Sequence, residues 1–354
     1  MGSERTDEKY YDEQDRRNTQ RMREVLDTLP RFCRQFFRGI ESTTQARTRL
    51  AYAYDLRVFF EFLHARNPAL AKKPITEWPL DVLDQVGRVD IEEYLEYISL
   101  YDNREGRVTT NKAQGKKRKM SALRSMYNYF FKSEMIQTNP PSLVDMPKLH
   151  EKEIVRLEAD EVAILLDQVE DGTKLTKGQS RFHEKTKLRD VALITLLLGT
   201  GIRVSECVGL DFDDIDFKNN GLRIHRKGGY DTVIYFGDEV EAALRDYLTE
   251  RRDIVAQPGH EQAIFLSLQN RRITVRSVEN LVKKYARNVT TLKKITPHKL
   301  RSTFGTNLYN ETGDIYLVAD VLGHKDVNTT RKHYAATNDY NRRMAARAVH
   351  LRTD

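Results

Sequence analysis

A mainly α protein of two domains, with one small antiparallel β-sheet in the second, is what the sequence predicts. Three observations predict it. The chain has 354 residues, more than a single core usually fills. Apolar residues recur at helical spacing along most of its length. Only one stretch, 213–236, is rich in Thr, Val, Ile and Tyr between turn residues, so the strands are confined to it.

Residues 1–30 mix both charges with weak periodicity and are expected to form an arm or an accessory helix. A helical domain is expected over 31–143. Ser42 and Thr43 are placed to cap a helix carrying Leu50, Tyr54, Phe59, Phe60 and Leu63. Ile91, Tyr94, Leu95 and Ile98 mark a second helix, and Leu123, Met126, Tyr127 and Phe130 a third; their apolar faces predict a small bundle. Asn139-Pro140-Pro141 stops the third helix, and 144–156, with Pro147 and no period, reads as a linker.

The second domain, 157–354, opens with a helix from Ala159 through Val162, Leu165 and Leu166. The polar stretch 171–187 is expected to be a mobile surface loop. An apolar helix over 188–198 then leads into Gly199-Thr200-Gly201. Strands are expected at 213–217, 222–226 and 231–236, turning at Asn219-Asn220-Gly221 and Gly228-Gly229. Three further helical faces follow, led by Val240 and Leu244, by Val278 and Leu281, and by Ile315 and Val318.

Composition excludes some classes. Charged residues make up 31% of the chain, and no apolar run reaches the roughly 18 residues of a membrane helix. The charged N-terminus lacks the apolar segment of a signal peptide, so a cytoplasmic location is expected. Cys33 and Cys207 have no metal or redox spacing and are expected to be buried reduced thiols. A net charge of +7 favours an anionic partner. Between 107 and 119 the chain carries Arg107, Lys112, Lys116, Lys117, Arg118 and Lys119 with no acid, where a phosphate backbone is expected to lie.

Four short segments place cations and imidazoles beside Gly or Pro. Arg203 follows a Gly-Thr-Gly turn at the end of an apolar helix, and Glu206, three residues on, is placed to orient it. His298 and Arg301 share one face of a first helical turn after Thr296-Pro297, where a helix N-terminus also attracts phosphate. His324 follows Leu322-Gly323, and Tyr334 stands ten residues later, with His333 and Tyr340 as neighbours competing for its part. Lys227 sits before Gly228-Gly229 at a hairpin tip. Alone, each is an ordinary cap, turn or surface residue. As a set they provide what a tyrosine needs to cut a phosphodiester: a guanidinium clamp for the phosphate oxygens, help for a phenol of pKa about 10, and an acid for the leaving oxygen.

The order Arg, Lys, His-x-x-Arg, His, Tyr resembles the tyrosine recombinase (phage integrase) family, and its Xer-like members in particular. The matching stretches are Gly199-Thr200-Gly201-Ile202-Arg203-Val204-Ser205-Glu206, His225-Arg226-Lys227-Gly228, Thr296-Pro297-His298-Lys299-Leu300-Arg301 and Leu322-Gly323-His324 with Tyr334. The resemblance implies a SAM-like core-binding domain followed by an α+β catalytic domain. It implies that Arg203, Arg301 and His324 bind the scissile phosphate, His298 assists proton transfer, Lys227 protonates the leaving oxygen and Tyr334 becomes a 3′-phosphotyrosine. Neither metal nor ATP nor any other cofactor is implied, and the sequence carries no P-loop or carboxylate metal cluster.

The implied partner is a double-stranded DNA recombination site, clasped by a homotetramer on two such sites that passes through a Holliday junction, with a second recombinase or accessory protein as a further partner. The amphipathic segment 339–352 is expected to dock on a neighbouring protomer. The biological task implied is chromosome-dimer resolution or the integration and excision of a mobile element. Two other readings remain open: a nicking-closing topoisomerase of similar chemistry, and a non-catalytic DNA-binding accessory protein. Two departures from the family pattern are the long 171–187 stretch and a His324-to-Tyr334 interval one residue longer than in many Xer-like proteins.

Overall fold

Leu50, Ala53, Leu56, Phe60 and Leu63 fall on one side of a helix, and the protein buries that side. The computed structural model describes residues 10–104, 106–148, 155–226, 230–290, 292–324 and 326–331. The chain divides into two compact units, 1–152 and 153–354.

The first unit contains α1 (Tyr10–Leu26), α2 (Cys33–Gly39), α3 (Ala46–Arg66), α4 (Val82–Gln85), α5 (Arg88–Tyr97), α6 (Ala113–Lys132) and α7 (Pro140–Leu143). Residues 10–26 are an ordered helix packed along α3, with Met22, Val25 and Leu26 in the core. The core mixes aliphatic and aromatic side chains, with edge-on ring contacts such as Phe59 to Tyr94 at 5.1 Å and Phe32 to Phe130 at 5.7 Å. Ser42 and Thr43 do not cap α3; it starts at Ala46 after Gln45, and the Thr43 hydroxyl donates back to the Ile40 carbonyl. A hairpin absent from the sequence reading, β1 (Leu100–Asp102) with β2 (Val108–Thr110), joins α5 to α6. Its three-residue strands are too short to show an alternation.

Asp55 corrects one expectation about the basic stretch. It is buried on α3, and its Oδ1 accepts from Lys119 Nζ (3.0 Å) and Arg118 Nη2 (2.8 Å). Lys119 is itself only 5% exposed, so it serves a buried ion pair and is not presented to a phosphate backbone. Burial pushes the Asp55 carboxyl up, against the pull of Lys119 and then Arg118.

The second unit contains α8 (Ala159–Asp171), α9 (Lys177–His183), α10 (Lys187–Thr200), α11 (Val204–Gly209), α12 (Asp238–Arg252), α13 (Val275–Ala286), α14 (Pro297–Thr312), α15 (Ile315–Leu322) and α16 (Val327–Thr330). Its sheet has the antiparallel order β3 (Ile215–Asp216), β4 (Gly221–Arg226), β5 (Tyr230–Tyr235). The first strand is shorter than expected because 212–214 winds into a 3₁₀ turn, closed by Asp214 accepting from the Asp211 N–H. The apolar α10 runs through the middle, packed on α8, α12 and α14.

The stretch 171–187 is not simply a surface loop. Thr176 and Gln179 form a reciprocal capping box that starts α9. His183 at its end is buried against Tyr285 (Nδ1 to Oη 3.2 Å), and Tyr285 donates to buried Asp190 on α10 (2.9 Å). Cys33 and Cys207 are free buried thiols, both pushed up by burial. Among the described residues, no helix is long and apolar enough to cross a membrane.

Removing Lys119 leaves Asp55 buried with only the half-exposed Arg118. Lys119→Met is therefore expected to destabilise the first unit by about 3 kcal/mol. Trp78, the chain's single tryptophan, is buried in this unit, so urea unfolding followed by its fluorescence reads the loss directly. An unchanged midpoint would remove the pair from the fold's support.

Candidate active site

The C-terminus of α15 organises the site. Gly323 ends the helix in the left-handed region, at φ +61°. Its N–H bonds the Asp320 carbonyl (2.8 Å), and the His324 N–H reaches back to the Ala319 carbonyl (2.9 Å). This pattern is a Schellman close, and it sets His324 just past the helix end. The carbonyls beyond Asp320 take side-chain donors. Arg226 donates from Nη1 to Leu322 O (2.5 Å) and from Nη2 to Val321 O (2.7 Å). Arg301 Nη2 also donates to Leu322 O, and Arg203 Nη2 donates to Gly323 O (3.3 Å). Three guanidiniums thus meet the negative end of one helix dipole.

Each arginine arrives from a different element. α10 closes on Gly201, also left-handed at φ +61°, where a Cβ would lie 2.3 Å from a Phe304 ring carbon. The chain can therefore turn tightly against α14, and Arg203 becomes the first flanking residue of α11. Glu206 accepts from the Arg203 N–H on Oε2 (2.7 Å) and from its Nη1 on Oε1 (2.7 Å). One carboxylate therefore both caps α11 and aims the guanidinium. Glu206 is 3% exposed while the Arg203 side chain is 32% exposed, so the charge is anchored from below and presented above.

Arg301 lies on α14, behind Thr296 and Pro297. Thr296 holds the flanking position without its hydroxyl accepting a capping hydrogen bond, leaving Pro297 and the fold to set the start. Buried Arg301 also donates from Nη1 to Gly201 O (2.6 Å), which ties α14 to the turn before Arg203. His298 stands exposed one helical turn earlier. His324 Nδ1 pairs with the hydroxyl of buried Thr330 on α16 (2.7 Å), which fixes the ring. Among the described residues, no group of three or more His, Cys, Asp or Glu stands together as metal ligands would.

Of the residues expected from the sequence, Arg203, Glu206, Arg301 and the turn bearing His324 are brought together. His298 shares the helix of Arg301. Lys227, Tyr334 and the segment 339–352 lie outside the described residues. Two participants had been missed, Arg226 and Thr330. Arg226 carried a readable signal: β4 buries Leu222 and Ile224 and exposes Arg223, so its alternation points Arg226 inward too. A cation at an inward strand position needs a partner.

Residues 155–341 match the model of the phage integrase family, more than half of the chain. The protein belongs to that family. Among its relatives, the tyrosine recombinase XerC of Caldanaerobacter subterraneus subsp. tengcongensis is 36% identical over 299 residues, covering 82% of this chain and 79% of its own length. The XerC of Oceanobacillus iheyensis is 30% identical over 303 residues, covering 85% and 89%. Solved structures share the fold. The XerH site-specific recombinase in a post-cleavage complex with palindromic difH superposes with a TM-score of 0.64 at 20% identity, over 86% of this chain and 80% of that one. A lambda integrase dimer on a COC′ core site does so at 0.59 and 19% identity, over 84% and 95%. Within the phage integrase family the chain is a Xer-like tyrosine recombinase.

In this recombinase Gly201 is required twice, by its backbone angle and by the Phe304 ring. Gly201→Ala combines a strained backbone with overpacking and is expected to destabilise the protein by about 3 kcal/mol. Far-UV circular dichroism during urea unfolding tests this, and an unchanged midpoint would show that the turn adapts.

Proposed function

We propose that this chain cuts and rejoins double-stranded DNA at a specific site, with Tyr334 as nucleophile. The observation that carries the reading is the convergence of Arg203 and Arg301 on one helix end, beside His324. Two planar, permanently charged forks held at one place suit the non-bridging oxygens of a phosphodiester. Held rigidly, they stabilise charge as it develops on the phosphorane.

The step balances as follows. Tyr334 Oη attacks phosphorus, a Tyr–O–P bond forms, and the bond from phosphorus to the 5′-oxygen breaks. Lys227 gives its proton to that oxygen, while His298 assists removal of the phenol proton. The 3′ end stays on the tyrosine. One phosphoester replaces another, so the 5′-hydroxyl of a second strand can reverse the step without outside energy. His324 donates to the phosphate from Nε2. For a neutral ring to do so Nδ1 must accept, which assigns the Thr330 hydroxyl as the donor in their 2.7 Å contact.

The reading extends to a tetramer on two duplexes exchanging strands through a Holliday junction, to a second recombinase or accessory protein, and to a cytoplasmic setting. It takes chromosome-dimer resolution or mobile-element movement as the task. The basic stretch of the first unit grips the DNA backbone through Arg107, Lys112, Lys116, Lys117 and Arg118, none of them buried. Lys119, buried on Asp55, takes no part.

A DNA site selected by the protein from a random pool, placed in a nicked, end-labelled duplex, tests the chemistry. The wild type is expected to form an SDS-resistant 3′-linked adduct, and Tyr334→Phe none. An adduct with Tyr334→Phe would move the nucleophile elsewhere, and tight binding with no adduct from either would favour an accessory binder. Exchange between two marked duplexes separates recombination from nicking and closing. Separately, neutralising Lys112, Lys116 and Lys117 together is expected to flatten the dependence of log affinity on log salt by about 3 units. An unchanged slope would take the DNA backbone off this stretch.

A further inference from the structure

We infer that Arg226 is a positioning residue of the strand-cleavage site, latching the His324 turn to the base of the hairpin that carries Lys227. The inference rests on the proposed roles of His324 and Lys227. Arg226 is the last described residue of β4, and Lys227 is the next residue in the chain. Both Nη atoms of Arg226 bond carbonyls of the last turn of α15, at 2.5 and 2.7 Å. These bonds cross 95 and 96 residues of sequence, so they join two segments that nothing local would hold in register.

The packing at this point is as specific as the hydrogen bonding. A Cβ built on Gly323 would lie 2.1 Å from Arg226 Nη1, so the guanidinium fills the space that a side chain at 323 would take. His324 follows directly. Arg226 therefore fixes the turn from one side, while Arg301 holds the same Leu322 carbonyl and Arg203 the next one. Arg203 and Arg301 also have work on the proposed phosphate. Arg226, buried like Arg301, places both Nη atoms on carbonyls of α15, and its Nε has no partner among the described residues. Burial is the largest influence on its charge and disfavours it, with Arg203 adding to that and Glu206 opposing both. A cation retained in so unfavourable a place serves geometry: a planar fork aims two N–H groups in fixed directions at two successive carbonyls, whereas the rotatable donors of an ammonium fix no direction.

The test uses the full chain and the nicked duplex carrying the selected site. Arg226→Ala is expected to form the covalent adduct about 100-fold more slowly, the scale of loss that a misplaced catalytic group produces, with affinity for the duplex held within about threefold. Arg226→Lys, which keeps the charge but loses the planar fork, is expected between the two in rate; should Arg226→Ala fail to fold, it carries the test. A second readout is the pH titration of the His324 ring in the free protein by NMR, assigned through His324→Gln. It is expected to shift in Arg226→Ala and to move back towards wild type in Arg226→Lys. Wild-type adduct rates in both variants would overturn the inference. So would a slower rate accompanied by a wild-type His324 titration, since that would mark a merely structural role. If the wild type itself gives no adduct, the proposed function fails, and the His324 titration still decides whether Arg226 sets that turn.

Discussion

The negative end of α15 does for this protein what a buried carboxylate does in many others: it holds cations where they are needed. Three guanidiniums from three separate elements share the carbonyls of residues 321–323. Backbone carbonyls suit this role because they carry partial charge. A full carboxylate in the same position would compete with an incoming phosphate, whereas a dipole end orients the guanidiniums and leaves them cationic. Among the described residues, the buried carboxylate seen bonded to this group is Glu206, which accepts from Nη1 of Arg203 and caps a helix with its other oxygen.

The same end explains why the site is assembled from helix termini. Arg203 begins α11, His298 lies in the first turn of α14, His324 follows α15, and Gly201 closes α10. At a terminus the backbone has unpaired groups and the chain changes direction, so polar side chains can meet without cutting through the apolar interior. The buried middle of α10 keeps those ends in place, since it packs on α8, α12 and α14 together.

Much of this was legible in the sequence, and the exceptions share a cause. The faces of α3, α5 and α6 were readable because burial there follows a 3.6-residue period. The motifs around Arg203, His298, Arg301 and His324 stood out too, since each follows a Gly- or Pro-marked boundary. What escaped were features held by partners distant in the chain. Lys119 looked like part of a basic run, yet it is buried by Asp55, 64 residues earlier. α9 looked like a polar loop because its stability comes from a capping box and from His183 against Tyr285, 102 residues on, with almost no apolar face. Arg226 belongs to the same class. Its inward register was visible in β4, but the helix end that receives it was not.

A side chain at position 323 and the guanidinium of Arg226 claim the same space. A side chain at 323 is opposed both by the left-handed backbone and by the guanidinium, and only the second obstacle disappears when residue 226 is small. Substitutions at the two sites are therefore coupled, and their combined effect is milder than the sum of the separate ones.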